Sequence, residues 1–284
     1  MKKLLLLFAA ATMAFSFSAC SENPEDNGGN GGNNENVGGN NPSDDNNDPS
    51  DNNDPNPEDL KLVKQIKYTE SWDSDVFTII TEFGYDAQNR VVEIIERYDY
   101  EEGGDRYTFS YNGNKLTVHD YRNDEEYTVL LNSDGWIKSI NDWDFFEYDD
   151  NGYLILRYKE DERGRENTTY TWSNGNLVSI AESDYYNDSY TSTIVYDDSL
   201  TLVPTNINLL HALSVIEHDD FWLTAYGQWG MQCKNLPIRI ESKDSEDSWT
   251  DTIDYELNAD GSIAKITHKG KYLRGTYTYE ILYY

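Results

Sequence analysis

Short runs in which apolar and polar residues alternate, each ended by a turn signal, constrain the fold of this chain more than any other feature. In the clearest run, Tyr107, Phe109 and Tyr111 alternate with polar residues. A turn signal follows at 112–114, and the alternation resumes at Leu116. A period of two is that of a strand with one buried face, and Asn and Gly tolerate the positive φ of hairpin turns. The pattern therefore predicts an antiparallel hairpin.

The same design recurs through residues 60–284, which we interpret as a single folded domain. Five further runs end in two apolar or aromatic residues before a turn signal: Phe83 and Tyr85, Val129 and Leu131, Phe146 and Tyr148, Tyr170 and Trp172, and Tyr255 and Leu257. Short strands at regular intervals are typical of all-β folds. We therefore predict an all-β domain built from repeated antiparallel hairpins.

Four of the turns are followed by an apolar residue, two further residues and an Ile. These pairs are Val91 and Ile94, Ile137 and Ile140, Leu177 and Ile180, and Ile263 and Ile266. A spacing of three cannot keep both side chains on one face of a regular strand, so it predicts either a β-bulge or burial on both faces. Because bulges curl a sheet, we expect a rolled sheet or a barrel.

One stretch, 206–226, departs from the strand pattern. Leu209, Leu213 and Ile216 lie at helical spacing, and an Asp at 219 or 220 could cap a second short turn. We predict a short helical insert around 206–226 that plugs or covers the sheet. An irregular crossover is the alternative.

The beginning of the chain predicts export. Residues 1–19 combine two lysines, an apolar run and small residues, as a signal peptide does. The four residues 17–20, Phe-Ser-Ala-Cys, resemble the lipobox of bacterial lipoproteins, which implies that Cys20 is diacylated. The alternative is an ordinary signal peptide with an incidental cysteine. Lipidation of Cys20 would leave Cys233 without a disulfide partner, so we expect Cys233 to be a small buried hydrophobe.

Residues 20–59 contain the lipidated Cys20 and an acidic segment with almost no apolar residue, which predicts a disordered tether. Glu22, Glu25 and Asp26 resemble the signal by which some Gram-negative bacteria move lipoproteins to the cell surface. The alternative is a spacer whose acidity has no further meaning. We expect a cell-envelope protein that is lipid-anchored to the outer membrane, on either its surface or its periplasmic face.

The charge of the chain restricts its partners. It has 53 Asp and Glu against 22 Lys and Arg, a net charge of −31. Proteins that bind nucleic acid or anionic lipid surfaces use cations to neutralise phosphate. We therefore expect no nucleic-acid partner, and contact with the membrane through the lipid anchor only.

No constellation of residues indicates a reaction. The histidines lack the spacing of a metal-hydrolase motif; they are His119, His211, His218 and His268. The run at 149–152 suggests calcium, but no Glu follows where an EF-hand needs one, and turn chemistry explains the run better. We expect no catalytic residues, no metal site and no cofactor. The many carboxylates leave a hydrolase of envelope or dietary polysaccharide as the alternative.

Some motifs resemble known families. The turn cores that join Tyr to Asp at 85–86, 148–149 and 196–197 are similar to the tyrosine–aspartate repeats of bacterial surface proteins. The segment 230–240, with Lys234, Asn235, Leu236 and Pro237, resembles a domain-of-unknown-function family of bacterial lipoproteins that has a porin-like fold. This resemblance implies a fold and an envelope location, without a reaction. A pore is not expected, because the strands place Glu, Asp and Lys opposite the aromatic face, so the domain should be water-soluble.

The aromatic residues suggest a binding function. The chain has 7 Trp and 23 Tyr, and exposed aromatic rings can stack on sugars. The candidates for outward-facing rings are Trp72, Trp143, Trp222 and Trp249, because each adjoins Asp residues in an expected loop. The alternative is that most aromatics form the core. We predict a non-enzymatic binding or structural domain with a glycan or protein partner.

Overall fold

The computed structural model describes residues 60–72, 75–99, 103–183, 189–212, 230–270 and 275–284. They form sixteen strands and one short helix. The first eight strands are β1 (Val63–Trp72), β2 (Asp75–Tyr85), β3 (Val91–Tyr98), β4 (Asp105–Asn112), β5 (Lys115–Asp120), β6 (Glu125–Leu131), β7 (Ile137–Ile140) and β8 (Asp144–Tyr148). The others are β9 (Leu154–Asp161), β10 (Gly164–Ser173), β11 (Asn176–Ser183), β12 (Ser189–Thr201), β13 (Asn235–Lys243), β14 (Ser248–Leu257), β15 (Ile263–Lys269) and β16 (Thr276–Tyr283). The helix α1 (Leu209–Ala212) lies between β12 and β13.

The strands form a closed antiparallel barrel. Each strand pairs with its neighbours in sequence, and β1 pairs with β16 to close the sheet. The all-β prediction is therefore confirmed, and the rolled sheet is a barrel. We call the end where β1 begins and β16 ends the proximal end, and the opposite end the distal end.

The interior of the barrel holds one continuous hydrophobic core. On β4, for example, Tyr107 and Phe109 point inward and are buried, whereas Arg106 and Ser110, which flank them, are exposed. The inward-facing apolar side chains of the strands form this core.

The pairs at a spacing of three lie at β-bulges. Phe83 lies opposite Ile94, whereas Tyr85 lies opposite Val91, so that β3 has one residue more than β2 at this point. The same register shift occurs at the other three pairs. All eight side chains are buried. The bulge prediction is confirmed, and it places both members of each pair on the inner face.

Aromatic side chains satisfy backbone carbonyl groups that the bulges leave outside the regular ladder. Tyr111 donates to the carbonyl oxygen of Val91 at 3.0 Å, and Trp172 Nε1 donates to that of Leu154 at 2.8 Å. Four more contacts join an even-numbered strand to the preceding odd-numbered one: Tyr85 to Val63, Tyr196 to Leu177, Tyr255 to Pro237 and Tyr283 to Ile263. Because an unpaired buried carbonyl destabilises a fold, these bonds stabilise the bulged hairpins.

The described parts of the segment between β12 and β13, residues 202–212 and 230–234, lie at the proximal end. Its first part contacts the start of β1, where Val63 N donates to Asn206 Oδ1 at 3.0 Å. Its last part contacts the turn between β8 and β9, where Met231 N donates to the carbonyl oxygen of Gly152. Ile207, Leu209 and Leu210 are completely buried. The described residues therefore cover this end of the core, as expected for a plug.

The helix prediction is confirmed only at its beginning. A helix starts at Leu209, but α1 has four residues, and residues 213–226 of the expected insert lie outside the described residues. The described part of the chain contains no helix long and apolar enough to cross a bilayer.

The outer wall carries charged residues in the middle of the strands. Lys67, Glu280, Lys265 and Glu256 lie side by side across β1, β16, β15 and β14. The two Lys–Glu contacts at the ends of this row measure 2.8 and 3.0 Å. A barrel that spans a membrane needs an apolar band facing lipid. This wall has the opposite chemistry, as the sequence led us to expect.

Candidate functional site

The inner lining changes from apolar to polar towards the distal end. We call the polar lining the distal mouth; it comprises Glu70, Glu96, Tyr98, Asp105, Glu125, Tyr127, Tyr190, Trp249, Asp251 and Tyr277. Most of these side chains are half-buried, whereas the inner residues of the barrel centre are buried. The strand alternation explains their placement, because several strands continue their inward-facing positions with Tyr or a carboxylate.

A carboxylate and a tyrosine two residues apart share the inner face of several strands. Tyr98 lies 3.2 Å from Glu96, and Tyr127 donates to Glu125 at 2.6 Å. Tyr68 and Glu70 form the same contact on β1 at 3.2 Å. Single-sequence reasoning missed these pairs, although the repeated spacing of two between an acidic residue and Tyr is visible in the sequence.

Glu96 and Asp105 meet at the hydroxyl group of Tyr98. The Tyr98 oxygen lies 2.6 Å from Asp105 Oδ2 and 3.2 Å from Glu96 Oε2. A phenol has one proton to donate. The Tyr98 hydroxyl can donate to either carboxyl group, and the shorter distance makes Asp105 the preferred acceptor. Arg122 Nη1 completes the chain by donating to Asp105 Oδ2 at 2.9 Å.

The surroundings of Glu96 shift its ionisation. Burial raises its pKa from 4.5 to about 7, and the charge of Asp105 acts in the same direction, whereas the hydrogen bond from Tyr98 acts against them. Burial also raises the pKa of Tyr98, so that the phenol keeps its proton. A carboxyl group with this pKa exchanges protons near neutrality. Glu96 is therefore the residue on which the alternative of a hydrolase would depend.

A buried ion pair lies next to the mouth on β8 and β9. The guanidinium group of Arg157 contacts both carboxylate oxygens of Asp144, at 2.7 to 3.2 Å. The two side chains are 5% and 1% exposed. Arg157 also lies over the ring of Phe146, 5.3 Å from its centroid. Paired in this way, both charges are accommodated inside the barrel.

The opposite side of the mouth offers hydroxyl groups and an aromatic pair. Ser192 Oγ lies 2.8 Å from the Tyr190 hydroxyl and 2.9 Å from Ser242 Oγ. The rings of Tyr190 and Trp249 are 5.5 Å apart and tilted by 35°. Both rings are half-buried. This side of the mouth therefore presents aromatic and hydroxyl groups side by side.

Two polar atoms near Trp249 have no hydrogen-bond partner among the described residues. They are Nε2 of His268, a side chain that is 3% exposed, and Oδ1 of Asp251. The distance from His268 Nε2 to Asp251 Oδ2 is 3.7 Å, too long for a hydrogen bond. Buried polar groups are satisfied in most proteins. These two groups therefore retain hydrogen-bonding capacity at the mouth.

The four candidate tryptophans do not form one site. Trp143 lies in the turn between β7 and β8 and is 45% exposed. Trp249 is on the inner face of β14, half-buried against Tyr190, so the expectation of an outward ring is wrong for it. Trp72 ends β1, and Trp222 lies outside the described residues.

The other singled-out residues are also dispersed. His119 contacts the ring of Tyr121 on the outer side, whereas His268 is buried. His211 belongs to α1, and His218 lies outside the described residues, as does Cys20. Cys233 is 6% exposed, which confirms that it is a buried hydrophobe. The described residues contain no group of three or more His, Cys, Asp or Glu that could hold a metal ion.

The run at 149–152 is a turn, as predicted. Asp149 Oδ1 accepts hydrogen bonds from the backbone N–H groups of Asn151 and Tyr153, both at 2.9 Å. Gly152 has a φ of 85°, which favours glycine. The side chain that suggested a calcium ligand therefore stabilises the hairpin.

Solved structures share this fold. A porin-like protein from Bacteroides uniformis ATCC 8492 has 18% identity and a TM-score of 0.55, over 78% of this chain and 98% of that protein. A porin-like protein from Bacteroides vulgatus ATCC 8482 has 15% identity and a TM-score of 0.55, over 79% of this chain and 99% of that protein. No family model matches the sequence, and no curated protein does. The chain is thus similar to Bacteroides porin-like proteins in its barrel fold, which the sequence resemblance implied.

Proposed function

We propose that this chain is a lipid-anchored, non-enzymatic binding protein of the bacterial cell envelope. Cys20 and the tether of residues 20–59 hold the barrel at the outer membrane. The distal mouth binds a glycan or a protein partner.

The polarity of the barrel interior is the observation that supports this proposal. At the proximal end, apolar side chains are buried together with uncharged polar ones such as Asn176 and Asn235, which are hydrogen-bonded to each other. The distal mouth instead concentrates carboxylates and phenols. His268 Nε2 and Asp251 Oδ1 are unsatisfied there, as Asn206 Nδ2 and Gln232 Oε1 are at the proximal end. Burying polar groups destabilises a fold unless they are paired, and convergent polar groups in a concave lining are typical of binding sites.

The first described strand, β1, begins at the proximal end, so the chain enters the barrel at the end opposite the distal mouth. The mouth accepts hydrogen bonds and positive charge, which suits sugar hydroxyl groups or the Lys and Arg side chains of a protein.

Metabolic labelling tests the anchor. Cells that express the chain are grown with an alkyne analogue of palmitate, beside cells that express a Cys20→Ala variant. We expect label and membrane association for the first protein only. Equal labelling of both proteins would contradict the anchor. Protease treatment of intact and lysed cells then distinguishes surface exposure from a periplasmic location.

Binding is tested with the full chain carrying Cys20→Ala, which removes the acyl chains. We expect this protein to bind a member of a glycan array or an envelope protein, and Trp249→Ala to weaken that binding. Thr252→Glu, on the outer face of β14, is the control. Steady release of reducing sugar from a polysaccharide, lost in Glu96→Gln, would instead establish the hydrolase.

A further inference from the structure

The outer wall has a second surface, separate from the distal mouth, that lacks charge. On β9–β12 the outward-facing residues form three cross-strand rows in the described chain. We call this surface the neutral strip; its members are Tyr158, Asn167, Ser183 and Ser189, then Leu156, Thr169, Ala181 and Thr191, then Thr171, Ser179 and Thr193.

The neutral strip contrasts with the rest of a strongly charged molecule. Of all residues, 26% are charged, and the row of Lys67, Glu280, Lys265 and Glu256 shows four charged neighbours in succession. The strip ends at β13, where Glu241 and Lys243 resume the charged pattern. In the first row the Arg165 guanidinium lies over Tyr158 and donates to Asn167 at 2.7 Å. A partner that meets the second and third rows does not have to remove water from ionised groups.

Aromatic residues border the strip on its β8 side. Phe145 and Tyr158 stack with centroids 4.9 Å apart, and the Arg165 guanidinium lies 3.7 Å from the Tyr158 centroid. Both faces of the Tyr158 ring are therefore covered. Trp143, which precedes Phe145 by two residues at the distal corner, is 45% exposed. The ammonium group of Lys159 lies 5.9 Å from the centroid of its ring, so the other face of the indole is the one offered to a partner.

We propose that the neutral strip binds an uncharged polysaccharide chain, with Trp143 as the stacking platform at one end. Ser, Thr and Asn side chains donate and accept hydrogen bonds without charge, as sugar hydroxyl groups do. The apolar face of a sugar ring packs on an exposed indole. An anionic polymer is disfavoured, because the whole chain carries a net charge of −31.

The size of the strip favours a narrow chain over a second copy of this protein. Four strands at about 4.8 Å spacing and three rows about 7 Å apart cover roughly 300 Å². A stable protein interface buries about 800 Å² on each partner. An extended polymer, in contrast, can lie along the rows within this area.

Affinity electrophoresis tests the proposal. The full chain with Cys20→Ala is run through gels containing soluble β-glucan, xylan or galactomannan, with polygalacturonate as the anionic comparison. At least one neutral polymer should retard the protein. Thr169→Glu and Trp143→Ala should weaken the retardation about tenfold, an increase in Kd that a single interface contact can produce.

Thr252→Glu is the matched control. Both threonines are exposed on an outer face, and each hydroxyl group donates to a carbonyl oxygen of the next strand, of Ala181 for Thr169 and of Lys269 for Thr252. The same charge is therefore introduced on two walls of one barrel. Retardation that survives Thr252→Glu and is lost in Thr169→Glu would support the strip.

Three results would overturn the inference. If no neutral polymer retards the protein, the strip does not bind polysaccharide. If only Trp249→Ala abolishes retardation, the glycan binds at the distal mouth, and the proposed function stands without the strip. If Thr169→Glu abolishes a concentration-dependent dimer measured by analytical ultracentrifugation, a second copy of the chain occupies the strip.

Discussion

Arg157 shows how one residue can depart from the plan of its neighbours. At four bulges the second inward-facing residue is Ile, namely Ile94, Ile140, Ile180 and Ile266. At the bulge between β8 and β9 the equivalent residue is Arg157, opposite Phe146. The carboxylate of Asp144, one strand away, makes this substitution tolerable. The sequence alone does not show that Arg157 faces inward, because an Arg at that position interrupts the pattern of apolar residues.

Glu96 makes the stability of the protein depend on pH. Its pKa is about 7 in the fold against an ordinary value of 4.5, so the folded protein binds this proton more tightly than the unfolded chain does. The stability that Glu96 contributes is therefore complete below pH 4.5, the ordinary pKa, and is lost as the pH rises through about 7, the pKa in the fold. We expect the stability difference between Glu96→Gln and wild type to shift in favour of the variant across this range.

Urea unfolding at several pH values, followed by circular dichroism, measures this difference. Wild type and Glu96→Gln share every other titrating group, so their difference isolates Glu96. A difference that stays constant from pH 4.5 to 7 would contradict the assignment.

At the scale of elements, the proximal turns determine the backbone conformation of the hairpins. The turn between β8 and β9 brings Gly152 so close to the ring of Trp136 that any side chain at 152 would collide with it. Gly113, in the turn between β4 and β5, also has a positive φ, of 61°, but has nothing near its Cα hydrogen. A substitution at Gly113 therefore tests backbone strain alone, whereas one at Gly152 tests backbone strain together with a steric collision.

We expect Gly152→Ala to destabilise the protein more than Gly113→Ala does. The second change costs about 1 kcal/mol through its positive φ alone. Gly152→Ala also displaces the packed indole of Trp136, which costs about 1–3 kcal/mol more. Chemical denaturation of both variants measures the difference in the free energy of unfolding. Equal losses in the two variants would show that the collision with Trp136 does not destabilise the fold.

The elements could be predicted from the sequence to different degrees. Strands with one buried face, and bulges such as the one at Val91 and Ile94, can be recognised in the sequence, because they depend on the spacing of residues that are close together in the chain. The distal mouth leaves a weaker trace. Glu96 faces Asp105 only because of the register of β3 and β4, and Arg122 reaches Asp105 from a later turn. Register is set by bulges and turns together, which the sequence pattern does not resolve to one residue.

At the scale of the whole molecule, the important property is whether the apolar residues of the strands face the inside or the outside of the barrel. A porin-like fold with an apolar outer face would suit a bilayer, whereas this barrel places apolar residues inside and ion pairs outside. The expectation from the sequence that a porin-like fold does not imply a pore agrees with this arrangement. Membership of the domain-of-unknown-function family and the likeness to tyrosine–aspartate repeats stay predictions.

The net charge of −31 predicts a response to salt. Like charges on a compact molecule repel each other, and salt screens them within about 10 Å at ~0.1 M. We expect the midpoint of thermal unfolding to rise between ~0.02 M and ~0.5 M NaCl, because screening relieves the repulsion. A midpoint that falls over this range would show that the surface ion pairs outweigh the repulsion.

The pairing of β1 with β16 has a consequence for biogenesis. Ile66 lies opposite Ile281, so two residues from the two extremes of the domain complete one wall. A chain that crosses a membrane amino end first delivers β1 early and β16 last. The sheet therefore stays open, with two unpaired edges, until almost the whole chain has emerged. The free edges of β1 and β16 can pair only when the last strand is available, so the barrel closes after the passage of such a chain and not during it.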